Sequence, residues 1–237
     1  MRFDSKAAGY DRHAGPQREF AAQTASVILE RAKSGGCVLE LGAGTGALTR
    51  LLCGAGLRVL ATDGSPAMQS LGQQAVPDAE WGVFDAFAAV PPAAELQVSS
   101  GLLQWAAQPL PVLGRWASAL LPGGRMIHSF PCLPCLDEWR SIVPDGPLVW
   151  RDRGEWVAIF EEAGLEVVQE CQWTRIVHYP GALDLVRSMH EGGMTGRTRM
   201  GTGGLRRAMR EYGARFSQAG GVGATWVWQL IEARVSG

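Results

Sequence analysis

A short apolar run, Cys37-Val-Leu-Glu-Leu41, breaks off at Gly42-Ala43-Gly44-Thr45-Gly46 and is followed by residues 47–55, which have helical character. No other feature of the chain restricts its fold so strongly. An apolar run of this length, bounded by glycines, makes a strand buried on both faces. Spaced glycines let the backbone turn sharply and bring main-chain N–H groups against a ligand. The helix that follows points its positive N-terminal end at the same place. Strand, glycine turn and helix form the first unit of an open α/β sheet, whose ligand crevice lies at the carboxyl ends of the strands.

The alternation continues. Residues 57–62, 81–84, 96–100 and 125–130 read as strands, and 66–74 and 112–121 as helices, the last stopped by Pro122-Gly123-Gly124. A helix is expected ahead of them at 17–33, where Phe20, Thr24, Val27, Ile28 and Arg31 share a face. Further strands are expected at 165–178 and 224–235, with a helix at 155–163. The pattern predicts a Rossmann-like, doubly wound α/β sheet of seven strands, mainly parallel with the last antiparallel. Residues 131–152 are proline-bearing and read as a cover segment, and about 181–220 as a Gly- and Arg-rich helical lid. With no repeat or linker, residues 1–237 read as a single domain.

A formal net charge of −1 at pH 7 does not suit a nucleic-acid binder. No stretch approaches the roughly 20 apolar residues of a membrane span, and the first residues lack a signal-peptide core, so a cytoplasmic location is expected. Cys132-Leu-Pro-Cys135 has no second pair or histidine at metal spacing, and no metal site is expected.

Three acids sit where strands end. Glu40 stands two residues before the first glycine, Asp63 follows the second strand and Asp85 closes the third. A fixed carboxylate can accept from two hydroxyls at once. Gly42-x-Gly44-x-x-Ala47 with a later acid also fits a dinucleotide site, which leaves an NAD-dependent oxidoreductase open, although no Tyr-x-x-x-Lys pair is present.

Taken with Asp63-Gly64-Ser65-Pro-Ala-Met68 and Leu121-Pro-Gly-Gly124, these segments resemble class I S-adenosylmethionine (SAM)-dependent methyltransferases, with a SAM-binding core over 35–130. The resemblance implies that Gly42, Gly44 and Gly46 approach the cofactor and that Glu40 faces its cationic methionine part. Asp63 would bind the ribose hydroxyls, Met68 would pack on the adenine, and Asp85 and Ala86 would flank the adenine edge. Ala43, Gly64 and Ser100 complete the implied cofactor set.

Three more segments narrow the resemblance. They are Phe3-Asp-Ser-Lys-Ala-Ala-Gly-Tyr10-Asp-Arg-His-Ala in an N-terminal arm (1–16), Ser99-Ser-Gly-Leu-Leu-Gln104-Trp105, and Leu185-Val-Arg187-Ser-Met-His-Glu-Gly-Gly. They are similar to segments of the malonyl-acyl-carrier-protein O-methyltransferases of the biotin pathway. This implies a malonyl thioester as acceptor, Tyr10 and Trp105 shaping its pocket, and Arg187 holding its carboxylate. Charge points the same way. Arg197, Arg199, Arg206, Arg207 and Arg210 make a basic face on a nearly neutral chain, which suits an acidic partner such as an acyl carrier protein.

A free carboxylate is already ionised at neutral pH, so its methylation needs no general base. A phenol or amine acceptor would want one, from His128, His178 or His190. Methylation of a small free acid or other metabolite, and a catalytically silent SAM-binding scaffold, are the alternatives.

Overall fold

The computed structural model describes residues 15–194 and 200–236. Strand β1 (Cys37–Leu41) runs parallel to β2 (Arg58–Asp63) on one side and to β4 (Ala94–Ser100) on the other. Beyond them lie β3 (Glu80–Val83), β5 (Leu120–Pro131), β6 (Leu165–Tyr179) and β8 (Gly221–Val235), in the order β3-β2-β1-β4-β5-β8-β6. β8 is antiparallel to both β5 and β6. A two-residue strand, β7 (Ser217–Gln218), pairs with β8 and adds an eighth to the seven expected. The strand order reverses between β1 and β4, and a crevice opens at the carboxyl ends of that pair.

Helices cover both faces. α1 (Gly15–Arg31), α2 (Ala47–Gly54), α3 (Pro66–Ala75), α4 (Pro109–Ser118) and α6 (Arg153–Glu162) alternate with the strands. Residues 131–152 contain the short α5 (Asp137–Arg140), and 181–220 contain α7 (Ala182–Glu191) and α8 (Thr202–Arg215). Strand alternation sorts the core. Val38 joins Ile28, Leu48 and Leu52 on the α1–α2 side, whereas Leu39 and Leu41 join Trp116, Phe130 and Phe160 on the other. Glu40 has the parity of Val38 and therefore faces α2.

Among the boundaries that differ from expectation, two stand out. α4 ends at Ser118 rather than 121, because Leu120 pairs with Ala94 and the Pro122–Gly124 segment enters β5 as an irregularity with Gly123 at φ 75°. β3 stops at Val83, so Asp85 lies in the loop beyond it instead of closing the strand.

Polar ties fix the covers. Both oxygens of buried Glu232 on β8 are held, by Arg31 of α1 at 2.9 Å and by Arg125 of β5 at 2.6 Å. Glu138 of α5 accepts from the main-chain N–H and the hydroxyl of Thr225 on β8. The Tyr212 hydroxyl of α8 donates to the Gly223 carbonyl at 2.6 Å. Among the described residues no helix is long and apolar enough to cross a membrane.

Candidate active site

The glycine turn after β1 is built by left-handed backbone at Gly42 (φ 66°) and Gly44 (φ 57°). A Cβ on Gly42 would collide with the Leu102 side chain, whereas one on Gly44 would meet nothing within 4 Å. The turn is strapped to β2 by Ala43 N–H donating to the Thr62 carbonyl at 2.9 Å. It also meets Asp63, whose Oδ2 accepts from Gly44 N–H at 2.9 Å and whose Oδ1 accepts from Ser65 N–H at 2.8 Å. The cap of α3 is Ser65, which accepts from Met68 N–H, so the Asp63 carboxylate is not consumed as a helix cap. It is fixed as a double acceptor at the mouth of the crevice.

Behind the turn, Glu40 is 2% exposed and accepts from the Thr49 hydroxyl of α2 at 2.7 Å. Burial pushes its carboxyl up to about 7; the Thr49 hydrogen bond lowers it and the nearby Asp63 charge raises it. Among the described residues no cation pairs with Glu40. A buried acid of this kind is complementary to a positively charged ligand group.

A single cleft gathers Glu40, Gly42, Ala43, Gly44, Asp63, Gly64, Met68, Asp85, Ala86, Ser100 and Trp105. Asp85 turns its own loop by accepting from Phe87 N–H at 3.0 Å. Met68 is 2% exposed and belongs to both the helix core and the cleft wall.

Two expected site residues fall elsewhere, and a third is outside the described residues. Gly46 does not line the cleft; at φ 86° it caps α2, and a Cβ there would press on Val76 and Trp81. Arg187 projects from the exposed side of α7, pairs with Asp184 at 3.4 Å and lines a different cavity. The apolar residues Leu185, Val186 and Met189 are buried and turn position 187 outward. Tyr10 lies outside the described residues, as do Arg197 and Arg199.

The cleft also has walls that the motifs did not indicate, Gln17, Arg18 and Ala21 of α1 and Trp228 of β8; Gly192 of the Leu185–Gly193 segment and Met194 also line it. Among the described residues Arg18 is the only Lys or Arg that lines it. In the Ser99–Trp105 segment, Gln104 Nε2 donates to the Gly101 carbonyl at 2.7 Å, while its Oε1 is buried with no partner among the described residues. The Trp228 indole N–H is likewise buried and unpartnered, and its ring stacks on Phe20 with centroids 4.8 Å apart. The hydrogen-bonding signal for these walls depends on how α1 crosses β8, which periodicity does not specify.

His128 does not line the cleft. It is buried beside Trp116, its Nδ1 is 2.8 Å from the Ser99 hydroxyl, and burial pushes it down to about 3. His178 does not line the cleft either, and His190 lines the other cavity. Cys132 and Cys135 are buried free thiols, with Cys135 pushed up to about 12 by burial.

This sheet order, with a glycine turn and acids at the reversal point, defines a Rossmann-like methyltransferase fold. Residues 10–170 match the methyltransferase domain family, and the chain belongs to it. The chain is 26% identical to a malonyl-[acyl-carrier protein] O-methyltransferase of Paenibacillus sp. (strain JDR-2), covering 98% of this chain and 96% of that one. It is also 26% identical to the protein of that name in Anoxybacillus flavithermus, over 98% and 94%. Among solved structures it resembles the YcgJ protein of Bacillus subtilis (TM-score 0.66, 15% identity, 91% and 100% covered). It also resembles magnesium protoporphyrin IX methyltransferase of Synechocystis PCC 6803 with bound SAH (TM-score 0.60, 15% identity, 94% and 84% covered).

Proposed function

We propose that this methyltransferase uses SAM to convert the free carboxylate of malonyl-acyl carrier protein into its methyl ester. One observation carries the reading: segments far apart in sequence, the β1 turn, Asp63 and Gln104-Trp105, converge on one cleft, and relatives matching nearly the whole chain bear the corresponding name. The cleft suits SAM on its own chemistry. Buried Glu40 awaits a cation, Gly44 leaves open space beside main-chain N–H groups, and Asp63 offers two fixed acceptor oxygens for a vicinal diol.

When bound, SAM supplies a methyl group on a positively charged sulfur, open to in-line displacement. Everything else falls to the chain. Asp63 would orient the ribose, the Asp85–Ala86 loop would flank the adenine, and ionised Glu40 would face the cationic methionine part. The remaining walls, Gln104, Trp105 and Trp228, exclude water and hold the acceptor in line; such positioning supplies about 7–11 kcal/mol in well-oriented systems.

None of the described histidines lines the cleft. That favours an acceptor already ionised at neutral pH over a phenol or an amine. The carboxylate needs a cation, and Arg18 supplies it on the cleft wall, where Arg187 does not reach. The Trp228 indole N–H donates to a second carboxylate oxygen.

The deciding experiment incubates the protein with methyl-labelled SAM and malonyl-acyl carrier protein, malonyl-CoA or free malonate. Label should enter a base-labile ester on the carrier-bound malonyl group. Label entering none of the three acceptors would refute the reading.

A further inference from the structure

A second cavity of about 330 Å³ lies between the cover segment and the lid. Trp139, Leu148 and Trp150 form one side, and Val186, Met189 and Leu205 the other. Its size falls at the small end of ligand pockets, roughly 300–1,000 Å³. Met194 lines both this cavity and the catalytic cleft, so the two adjoin.

The polar lining is uneven. Asp145 and Glu191 contribute to it, together with Arg140, Arg187 and His190. Both arginines also reach solvent, with side chains 24% and 58% exposed. Each pairs with an aspartate one helical turn back, Arg140 with Asp137 at 3.3 Å and Arg187 with Asp184 at 3.4 Å. Exposed pairs of that kind are weak and yield readily to a better anion. Next to Leu205 in the wall, Arg206 and Arg207 stand exposed on α8 with no ion pair among the described residues, as does Arg210.

The cavity is therefore apolar inside and adjoins the cleft at Met194; where it meets solvent its charge is mixed, with Arg140 and Arg187 the cations and Asp145 and Glu191 the acids of its lining. A ligand matching it is narrow and mostly uncharged, with an anion at its outer end. We infer that this second cavity holds the 4′-phosphopantetheine arm of an acidic acyl carrier protein. Its phosphate sits at Arg140 and Arg187, and the carrier rests on the basic face of α8. The inference rests on the proposed malonyl-carrier reaction, which requires a tether to bring the malonyl group to the cleft while the carrier stays outside. It gives Arg187 the phosphate rather than the malonyl carboxylate.

The test is calorimetric binding of 4′-phosphopantetheine to the whole chain. Wild-type protein should bind it, and bind pantetheine lacking the phosphate more weakly. Leu205→Trp, which fills the cavity, should raise the Kd about tenfold while SAM still binds. Should Leu205→Trp fail to bind SAM, Leu148→Phe takes its place. Arg140→Gln combined with Arg187→Gln should erase the preference for the phosphorylated form. No binding by wild-type protein, or equal binding by the filled variant, overturns the inference. Binding without methylation of any malonyl thioester would instead reject the proposed reaction and leave the cavity assignment standing. Replacing the carrier by CoA separates the sources, since only the carrier should depend on Arg206, Arg207 and Arg210.

Discussion

The main-chain N–H of Gly44 donates to Oδ2 of Asp63 at 2.9 Å, so the turn after the first strand and the acid after the second are one unit. With Ser65 N–H on the other oxygen, both Asp63 oxygens face donors. An asparagine there must turn its own N–H₂ toward one of those two N–H groups. Asp63→Asn is therefore expected to weaken SAM binding about 10- to 100-fold, the scale of losing hydrogen bonds to a charged group. Titration calorimetry measures it, and an unchanged Kd would remove Asp63 from the cofactor site.

Glu40 should make SAM affinity depend on pH. Burial raises its carboxyl to about 7, and only the ionised form complements a cation. Affinity should fall below pH 7 by up to about tenfold per pH unit, and Glu40→Gln should flatten that dependence. Stability runs the other way. The folded chain holds a proton that the unfolded chain releases above its ordinary carboxylate range, so this contribution is full at low pH and fades as pH rises through about 7. Ligand-free Glu40→Gln should thus gain on wild type between pH 5.5 and pH 8, by about 2–4 °C in Tm for each kcal/mol. Paired thermal melts at the two pH values provide the check.

Trp228→Phe keeps an aromatic ring against Phe20 and deletes the buried N–H. If that N–H serves the acceptor, kcat/KM for the malonyl carrier should fall about tenfold. SAM affinity should hold. Equal losses in both would mean that the indole only shapes the cleft.

Reversing Arg206, Arg207 and Arg210 to glutamate changes exposed charges on α8. KM for malonyl-acyl carrier protein should rise about tenfold and lose its salt dependence, since surface charge acts mainly on encounter. Steady-state rates across a salt series give the answer. A wild-type KM indifferent to salt would show that the carrier lands elsewhere.

Gly72 in α3 looks like a site where alanine should help, because glycine in a helix costs about 1 kcal/mol. Here a Cβ would run into the Trp81 ring, which is held by its indole N–H on the Val76 carbonyl at 3.0 Å. Gly72→Ala is expected to destabilise by about 1–3 kcal/mol, the range for overpacking. Chemical denaturation reads the difference directly.

Much of the sheet could be read from the sequence because its strands are buried and apolar, and because glycines and acids mark the ends of β1 and β2. Candidate site residues stood out where an acid sits next to such an end, as at Glu40, Asp63 and Asp85, and the structure brings these three to one cleft. Gly46 lies outside the cleft because glycine serves close packing as well as ligand approach, and only the positions of Val76 and Trp81 distinguish the two. Arg187 lies elsewhere for a reason that periodicity already contains: apolar residues at 185, 186 and 189 turn it outward. Arg18 and Trp228 gave no local signal, since their place on the cleft depends on how α1 crosses the far half of the sheet.

β8 follows every other strand along the chain, yet it lies between β5 and β6. Until it is made, a growing polypeptide leaves both of those strands with bare hydrogen-bonding edges, the kind that templates aggregation. β5 and β6 thus wait on a strand synthesised after both, and the nascent protein passes through an interval in which chaperone shelter matters.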